Sequence, residues 1–411
     1  MNLRQAEEYL LDLELFGMRF GLDRMHKLMT ALGMPQRRFA SIHVVGTNGK
    51  SSTVRFIAGI LERHGIRTGS YTSPHLVSFT ERIEIEEQPV SGADFAAAVA
   101  RAAHAAELVN RTQEDGDTVT QFEALTAAAY HELARRRVEV AVVEAGLGGR
   151  YDATNVIPSK VQVLTGVGLE HTRWLGPTIA DIAGEKLAVV RDHGVLVSGE
   201  LHPEAEAVAE RVAAEHHARR VRAEADAGYE FAARGAFQHA NFALARAAAE
   251  AFNGELDEDA VRRAAAEVSV PGRMQVVSQN PCTVLDGAHN PAGAEAVAEA
   301  LPELLRGRRA VGVIGVLDDK DAAGMLRALL PRLDQVVFTR SSNPRSLSPA
   351  TLESLAEKLG GPPSETVGDP RAALARAQEL AGDEGAVLAT GSIYLIADLV
   401  RIERAARAST L

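Results

Sequence analysis

The stretch Val44-Val45-Gly46-Thr47-Asn48-Gly49-Lys50-Ser51-Ser52-Thr53 decides how the rest of the chain is read. The β-branched run 42–45 leads into it, and a segment of helical length and spacing, 51–64, leads out. A glycine-rich turn between strand and helix lets backbone amides curl around phosphate oxygens. The helix amino terminus favours their charge, and Lys50 adds a point charge. A hydroxyl after the lysine suits magnesium. The spacing departs from G-x-x-x-x-G-K-[ST], because only two residues separate Gly46 from Gly49. The competing reading is an ordinary strand-to-helix turn with a chance lysine.

Outward from this loop, short apolar runs at 138–143, 161–165, 195–198, 311–316, 335–339 and 386–389 alternate with helical stretches such as 122–137. Near-continuous apolar runs of this length predict strands buried on both faces, hence an α/β chain with parallel sheets. The helix-like segment 257–266 ends at Val268-Ser269-Val270-Pro271-Gly272-Arg273, after which the alternation starts afresh. This predicts a P-loop-type, parallel-sheet phosphate-binding domain at 1–269 and a smaller Rossmann-like α/β domain at 270–411, both of ordinary domain size.

Of the 411 residues, 46% are hydrophobic and 24% charged, which excludes a disordered chain, a coiled coil and a collagen-like fibre. The single cysteine, Cys282, cannot form an internal disulfide, as expected in a reducing cytosol. The amino-terminal MNLRQAEEYLLDLELF carries acids where a secretion signal would carry bases, and no apolar run approaches the roughly 20 residues needed to cross a bilayer. A net charge of −11 argues against a general nucleic-acid binder but leaves room for anionic small molecules held by a few local cations. The expectation is a cytoplasmic monomer with small-molecule substrates and neither a membrane nor a nucleic-acid partner.

Further segments occur in one order along the chain. They are Tyr71-Thr72-Ser73-Pro74-His75-Leu76, Glu81-Arg82-Ile83, Glu144-Ala145-Gly146-Leu147-Gly148-Gly149-Arg150-Tyr151-Asp152-Ala153-Thr154-Asn155, Pro271-Gly272-Arg273, Leu285-Asp286-Gly287-Ala288-His289-Asn290-Pro291 and Gly391-Ser392-Ile393-Tyr394. Together with the Gly46–Lys50 core they resemble the folylpolyglutamate synthase/dihydrofolate synthase family of the Mur-ligase superfamily. Two positions depart from its pattern: Ser51 replaces a glycine and Tyr151 a leucine.

The resemblance implies an ATP- and magnesium-dependent ligase that adds L-glutamate to dihydropteroate or a folate through an acyl phosphate. It implies nucleotide contacts at Thr47, Asn48, Gly49, Lys50, Ser51, Ser52, Asn241, Arg273 and Asp286. Up to two magnesium ions would be held by Ser52, Ser73, Glu144, His171 and a carbamylated Lys186. Pteroate contacts would come from Arg19, Phe20, Gly21, Thr120, Gln121, Phe122, Glu123, Tyr151, Asp152 and Ala153. His289 and Ser392 would serve glutamate, with Lys50, Lys186 and His289 as catalytic residues.

Residue type alone reads several of these otherwise. Glu144 is a helix-terminal acid or salt-bridge partner, and His171 a satisfied loop residue, since magnesium prefers oxygen. Lys186 is a solvated surface lysine, Arg150 and Asp152 a surface pair, Phe122 a core aromatic, Arg273 a solvated linker residue, and Asp286-Gly287 an ordinary turn. Two other functions compete. One is a Mur-type ligase acting on a nucleotide-linked cell-wall precursor, although only about 40 residues precede the loop where a nucleotide-sugar domain is expected. The other is a non-catalytic nucleotide switch, which leaves Asp286, His289 and Ser392 unexplained.

Overall fold

The computed structural model describes residues 1–13, 21–113, 117–225 and 228–401. The first sheet comprises β1 (Ala40–Val45), β2 (Thr68–Tyr71), β3 (Ile83–Ile85), β4 (Gln88–Pro89), β5 (Val140–Glu144), β6 (Val161–Leu164), β7 (Val195–Ser198) and β8 (Arg219–Arg222). The second comprises β9 (Gln275–Gln279), β10 (Cys282–Leu285), β11 (Ala310–Ile314), β12 (Gln335–Phe338), β13 (Ser364–Thr366) and β14 (Ala386–Thr390). Every apolar run expected as a strand forms one. In β5, Val140 and Val142 join Val54 and Ile57 of the helix Lys50–Arg63, while Ala141 and Val143 join Leu125 and Tyr130 of the helix Gln121–Arg135. Helices cover both faces, so the strand alternates between two apolar environments.

The first sheet has the order β4-β3-β2-β5-β1-β6-β7-β8, parallel from β2 to β8 with β3 and β4 antiparallel at one edge. In the centre, Val44 of β1 lies opposite Glu144 of β5 and Val163 of β6. The loop after β1 therefore leaves the middle of the carboxyl-terminal edge, where open α/β sheets bind ligands. Glu144, expected just past its strand, is the last residue of it. The second sheet has the order β13-β12-β11-β14-β10-β9, parallel except for β9. The α/β class with two parallel-dominated sheets is as expected.

Strands without an apolar run escaped the sequence reading. The residues of β2, Thr-Gly-Ser-Tyr, are all buried although not apolar. At the opposite edge, the Arg-Arg-Val-Arg of β8 carries the charge that keeps edge strands from pairing further.

The chain passes between the sheets where Pro-Gly interrupts the pattern. Val268 and Val270 are buried in the first unit's core, Met274 in the second's, and Gly272 turns between them at φ 69°. The units also meet through Leu76, which enters an apolar cluster of the second sheet and whose carbonyl accepts from Arg401 at 3.2 Å. No helix among the described residues is long and apolar enough to cross a membrane.

Candidate active site

A cleft of about 660 Å³ opens between the two units, a size that suits a small-molecule site. One wall is the loop after β1. Gly46 has φ 152° and Gly49 φ 83°. A Cβ on Gly46 would lie 1.9 Å from Thr165 Oγ1, and one on Gly49 2.3 Å from Asn241 Oδ1, so both positions need glycine. The loop is tied to the segment after β6: Thr165 Oγ1 donates to the Asn48 carbonyl (2.5 Å), Thr47 N to the Gly166 carbonyl (2.9 Å) and Gly168 N to Thr47 Oγ1 (3.0 Å). Asn241, resting over Gly49, is oriented by donating to Gln238 Oε1 at 2.9 Å.

Two lysines meet at this loop. Lys50 Nζ donates to the carbonyls of Gly46 and Thr47, both at 3.1 Å, and Lys186 Nζ donates to Gly46 at 2.9 Å. Lys186 is only 4% exposed, contrary to the surface lysine that residue type suggests. Burial, with the charge of Lys50, pushes its ammonium down to about 7. Glu144 stands alongside. Its Oε1 accepts from Ser51 Oγ at 3.1 Å and its Oε2 from the backbone N–H of Ser73 at 3.2 Å. Burial raises the Glu144 carboxyl, opposed by Lys50, the Ser51 and Ser73 hydrogen bonds, and Arg273.

His171, in a left-handed conformation at φ 53°, reaches the same cleft. Its nearest carboxylate is Glu170, at 3.8 Å, and burial pushes the imidazole down to about 4. Among the described residues no three His, Cys, Asp or Glu side chains form a metal cage. One buried carboxylate in a cleft that Ser52 and Ser73 also line, with a phosphate loop alongside, fits magnesium, which takes one or two carboxylates and completes its shell with nucleotide phosphates and water.

The other end of the cleft is made by side-chain networks. Asp152 is buried rather than paired with Arg150, which bonds Glu185 at 2.8 Å instead. Asp152 Oδ2 accepts from Leu147 N (2.8 Å), and Oδ1 accepts from the backbone N–H and the hydroxyl of Thr154. His43, in the core of β1, sits 2.8 Å from the same hydroxyl. Because Thr154 gives its proton to Asp152, His43 Nε2 is the donor to Thr154.

Thr120 and Glu123 form a capping box at the start of the helix Gln121–Arg135. Arg24 clamps Glu123, its Nε lying 3.1 Å from both carboxylate oxygens. Phe122, Tyr151 and Ala153 line the cleft, and Tyr151 is 45% exposed. Gln121 is not at the cleft: its amide donates to the Leu10 carbonyl at 2.7 Å. Gly21 also lies off the lining, and Arg19 and Phe20 fall outside the described residues.

The second unit supplies the facing wall from the carboxyl ends of β10, β11 and β14. Asp286 accepts from Met274 N (2.8 Å) and Ala288 N (2.7 Å), so it braces the linker more firmly than an ordinary turn does. Arg273 and Ser392 line the cleft, and Ser392 caps the helix Ile393–Val400. His289 Nδ1 donates to the Gly287 carbonyl at 3.0 Å, and its Nε2 lies 3.4 Å from Glu170 Oε1.

Three residues that sequence reasoning left without a role join the walls. Glu170, from the first unit, takes Lys320 Nζ at 3.1 Å and Asn290 Nδ2 at 3.0 Å. Burial raises its carboxyl, but the hydrogen bond and charge of His289, with Lys320 and His171, hold it well below the usual range. Asn290 also exchanges amide hydrogen bonds with Asn48, at 3.0 and 3.2 Å. Asn290 lies in a quoted motif and Glu170 directly precedes His171, whereas Lys320 sits in Asp318-Asp319-Lys320-Asp321, which reads as a solvated charge run.

Residues 272–393 match the family described as Mur ligase, glutamate ligase domain. The dihydrofolate synthase/folylpolyglutamate synthase of Bacillus subtilis is 33% identical over 414 aligned residues, covering 93% of this chain and 95% of that protein. The chain belongs to the folylpolyglutamate synthase/dihydrofolate synthase family. The Mycobacterium tuberculosis family member of the same double name is 38% identical over 83% of this chain and 78% of its own. Among solved folylpolyglutamate synthases, the M. tuberculosis protein complexed with ADP superposes with a TM-score of 0.90 at 35% identity, covering 96% of each chain. The Escherichia coli family protein FolC, in complex with DHPP and ADP, gives a TM-score of 0.85 at 31% identity, covering 97% of this chain and 96% of that one. The fold is therefore that of the Mur ligases, an ATPase unit followed by a carboxyl-terminal unit.

Proposed function

We propose that this protein uses ATP to join L-glutamate to dihydropteroate, to a folate, or to both. In this reading residues 1–269 form the ATP-binding domain, residues 270–411 form the glutamate-ligase domain, and a cytoplasmic monomer carries out the reaction. The observation that carries it is the composition of the cleft. Lys50, Lys186 and Glu144 gather at the phosphate loop, and His289 and Lys320 face them across Glu170. Relatives of this coverage described as bound to ADP and DHPP support the same substrates.

A carboxylate resists an amine because its leaving group would be oxide. Transfer of the γ-phosphoryl group makes an acyl phosphate; the glutamate amine then attacks the carbonyl carbon, and phosphate leaves with the former carboxylate oxygen. Lys50 moves from its loop carbonyls to the β- and γ-phosphates, and the amides around Gly49 bind their oxygens. Asn241, Arg273 and Asp286 hold the nucleotide. Ser73, Glu144 and His171, with Ser52 alongside, would hold one magnesium ion, and a carbamylated Lys186 would serve a second. Magnesium supplies charge neutralisation at the transferring phosphoryl group. The buried, easily neutralised amine of Lys186 suits carbamylation, which needs an uncharged nitrogen.

The pteroate lies at the Asp152, Phe122 and Tyr151 end, and glutamate approaches from His289 and Ser392. The contacts between Glu170 and the second unit keep water from the acyl phosphate. The test is ADP release by purified protein, with dihydropteroate and a reduced folate monoglutamate assayed separately. ADP formed in step with product, and only when glutamate is present, supports the reading. Uncoupled ADP release indifferent to glutamate in both assays overturns it.

A further inference from the structure

We infer that Ser51 is a positioning residue that fixes the Glu144 carboxylate for magnesium through the Oγ···Oε1 hydrogen bond of 3.1 Å. The inference rests on the reading of Glu144 as a magnesium ligand. Glu144 ends β5 and is 2% exposed, with one donor on each carboxylate oxygen. The donor on Oε2 is the backbone N–H of Ser73, which any side chain at 73 would leave in place. The donor on Oε1 is a side-chain hydroxyl that glycine, the residue of the family pattern at this position, cannot supply. Ser51 is itself held by its place in the first turn of the helix Lys50–Arg63, next to the lysine of the phosphate loop.

With both oxygens anchored, the carboxylate plane is set before a metal arrives, and each oxygen keeps a lone pair for it. Hydrogen bonds of this kind to a ligating carboxylate typically change metal affinity 10- to 100-fold when removed (about 10-fold is expected here, since the Ser73 bond remains). The alternative role for the hydroxyl is a direct contact to a nucleotide phosphate, which would act on ADP binding without metal.

The experiment measures Mn²⁺ binding by electron paramagnetic resonance, with full-length protein in excess over ADP, for wild type, Ser51→Gly, Ser51→Thr and Glu144→Gln. ADP affinity is measured in parallel in the presence of a chelator. Ser51→Gly should weaken Mn²⁺ binding about 10-fold, Ser51→Thr should restore it, and metal-free ADP affinity should be unchanged in both. Wild-type or tighter Mn²⁺ binding by Ser51→Gly, when Glu144→Gln binds poorly, overturns the role of Ser51 alone. A metal-free ADP affinity that falls in Ser51→Gly reassigns the hydroxyl to phosphate and also overturns it. Wild-type Mn²⁺ binding by Glu144→Gln removes the metal reading, and the inference with it.

Discussion

At the phosphate end of the cleft the hydrogen-bonding groups are mostly backbone: the carbonyls of Gly46, Thr47 and Asn48 and the amides of Thr47 and Gly168. At the Asp152 end they are mostly side chains, in the relays His43–Thr154–Asp152 and Arg24–Glu123–Thr120. A backbone-built site needs glycines and a few charges, and the rest of its geometry comes with the strand-loop-helix path. A site built from side chains depends on every member of each relay, because losing one strands a buried partner. Substitutions at the first end should therefore act on the chemical step with the fold intact. Those at the second should act on substrate affinity and stability.

The largest effect is expected at Lys50. Lys50→Ala removes the cation beside the transferring phosphoryl group and should lower kcat by about 100-fold or more. Its melting temperature should stay near that of wild type, because Lys50 is only half-buried and its hydrogen bonds among the described residues go to the loop carbonyls of Gly46 and Thr47. A folded variant with near-wild-type turnover would break the comparison at its phosphate end. Lys186→Ala should be nearly inactive too, and formate or acetate should restore part of the activity by filling the vacated anionic position. Full activity without any added acid would deny Lys186 that role.

At the other end the response should be milder and of another kind. Thr154→Val keeps shape but leaves the donor of His43 unmet and removes one of the two hydrogen bonds to Asp152 Oδ1, a cost of about 1–3 kcal/mol. We expect KM for the pteroate substrate to rise about 10-fold with KM for ATP unchanged. Equal rises in both would mean that the two ends are not separable.

The smallest effect is a pH slope. Burial and the charge of Arg191 push His43 down to about 3, below its ordinary 6.5. The imidazole thus stays neutral in the fold while the unfolded chain protonates it. Its contribution is complete above about 6.5 and is lost progressively as pH falls towards 3, because the unfolded state then binds the extra proton. Wild type should lose thermal stability on acidification more steeply than His43→Gln, which keeps a donor but does not titrate. Parallel slopes would show that His43 is not the titrating group.

The same contrast explains what could be read from sequence. The phosphate loop, β1 and the helix after it are contiguous, so ten residues reveal strand, turn, charge and helix together. The strands β5, β6, β11 and β14 announce themselves because both faces are apolar. Strand β2 does not, since its burial comes from neighbours and not from its own composition. Glu170 and Lys320, 150 residues apart, meet only because two sheets face one cleft. Lys186 looked like a surface lysine because nothing local shows that its helix packs against Gly46. Gln121, expected at the substrate, is turned towards Leu10 by a contact 111 positions away.

The central claim is that one carboxylate oxygen of the pteroate or folate leaves with phosphate. Substrate labelled with oxygen-18 in that carboxylate, turned over with ATP and glutamate, tests it directly by mass analysis of the released phosphate. An acyl-phosphate route predicts one labelled oxygen in each phosphate formed. Unlabelled phosphate released in step with amide product would contradict it.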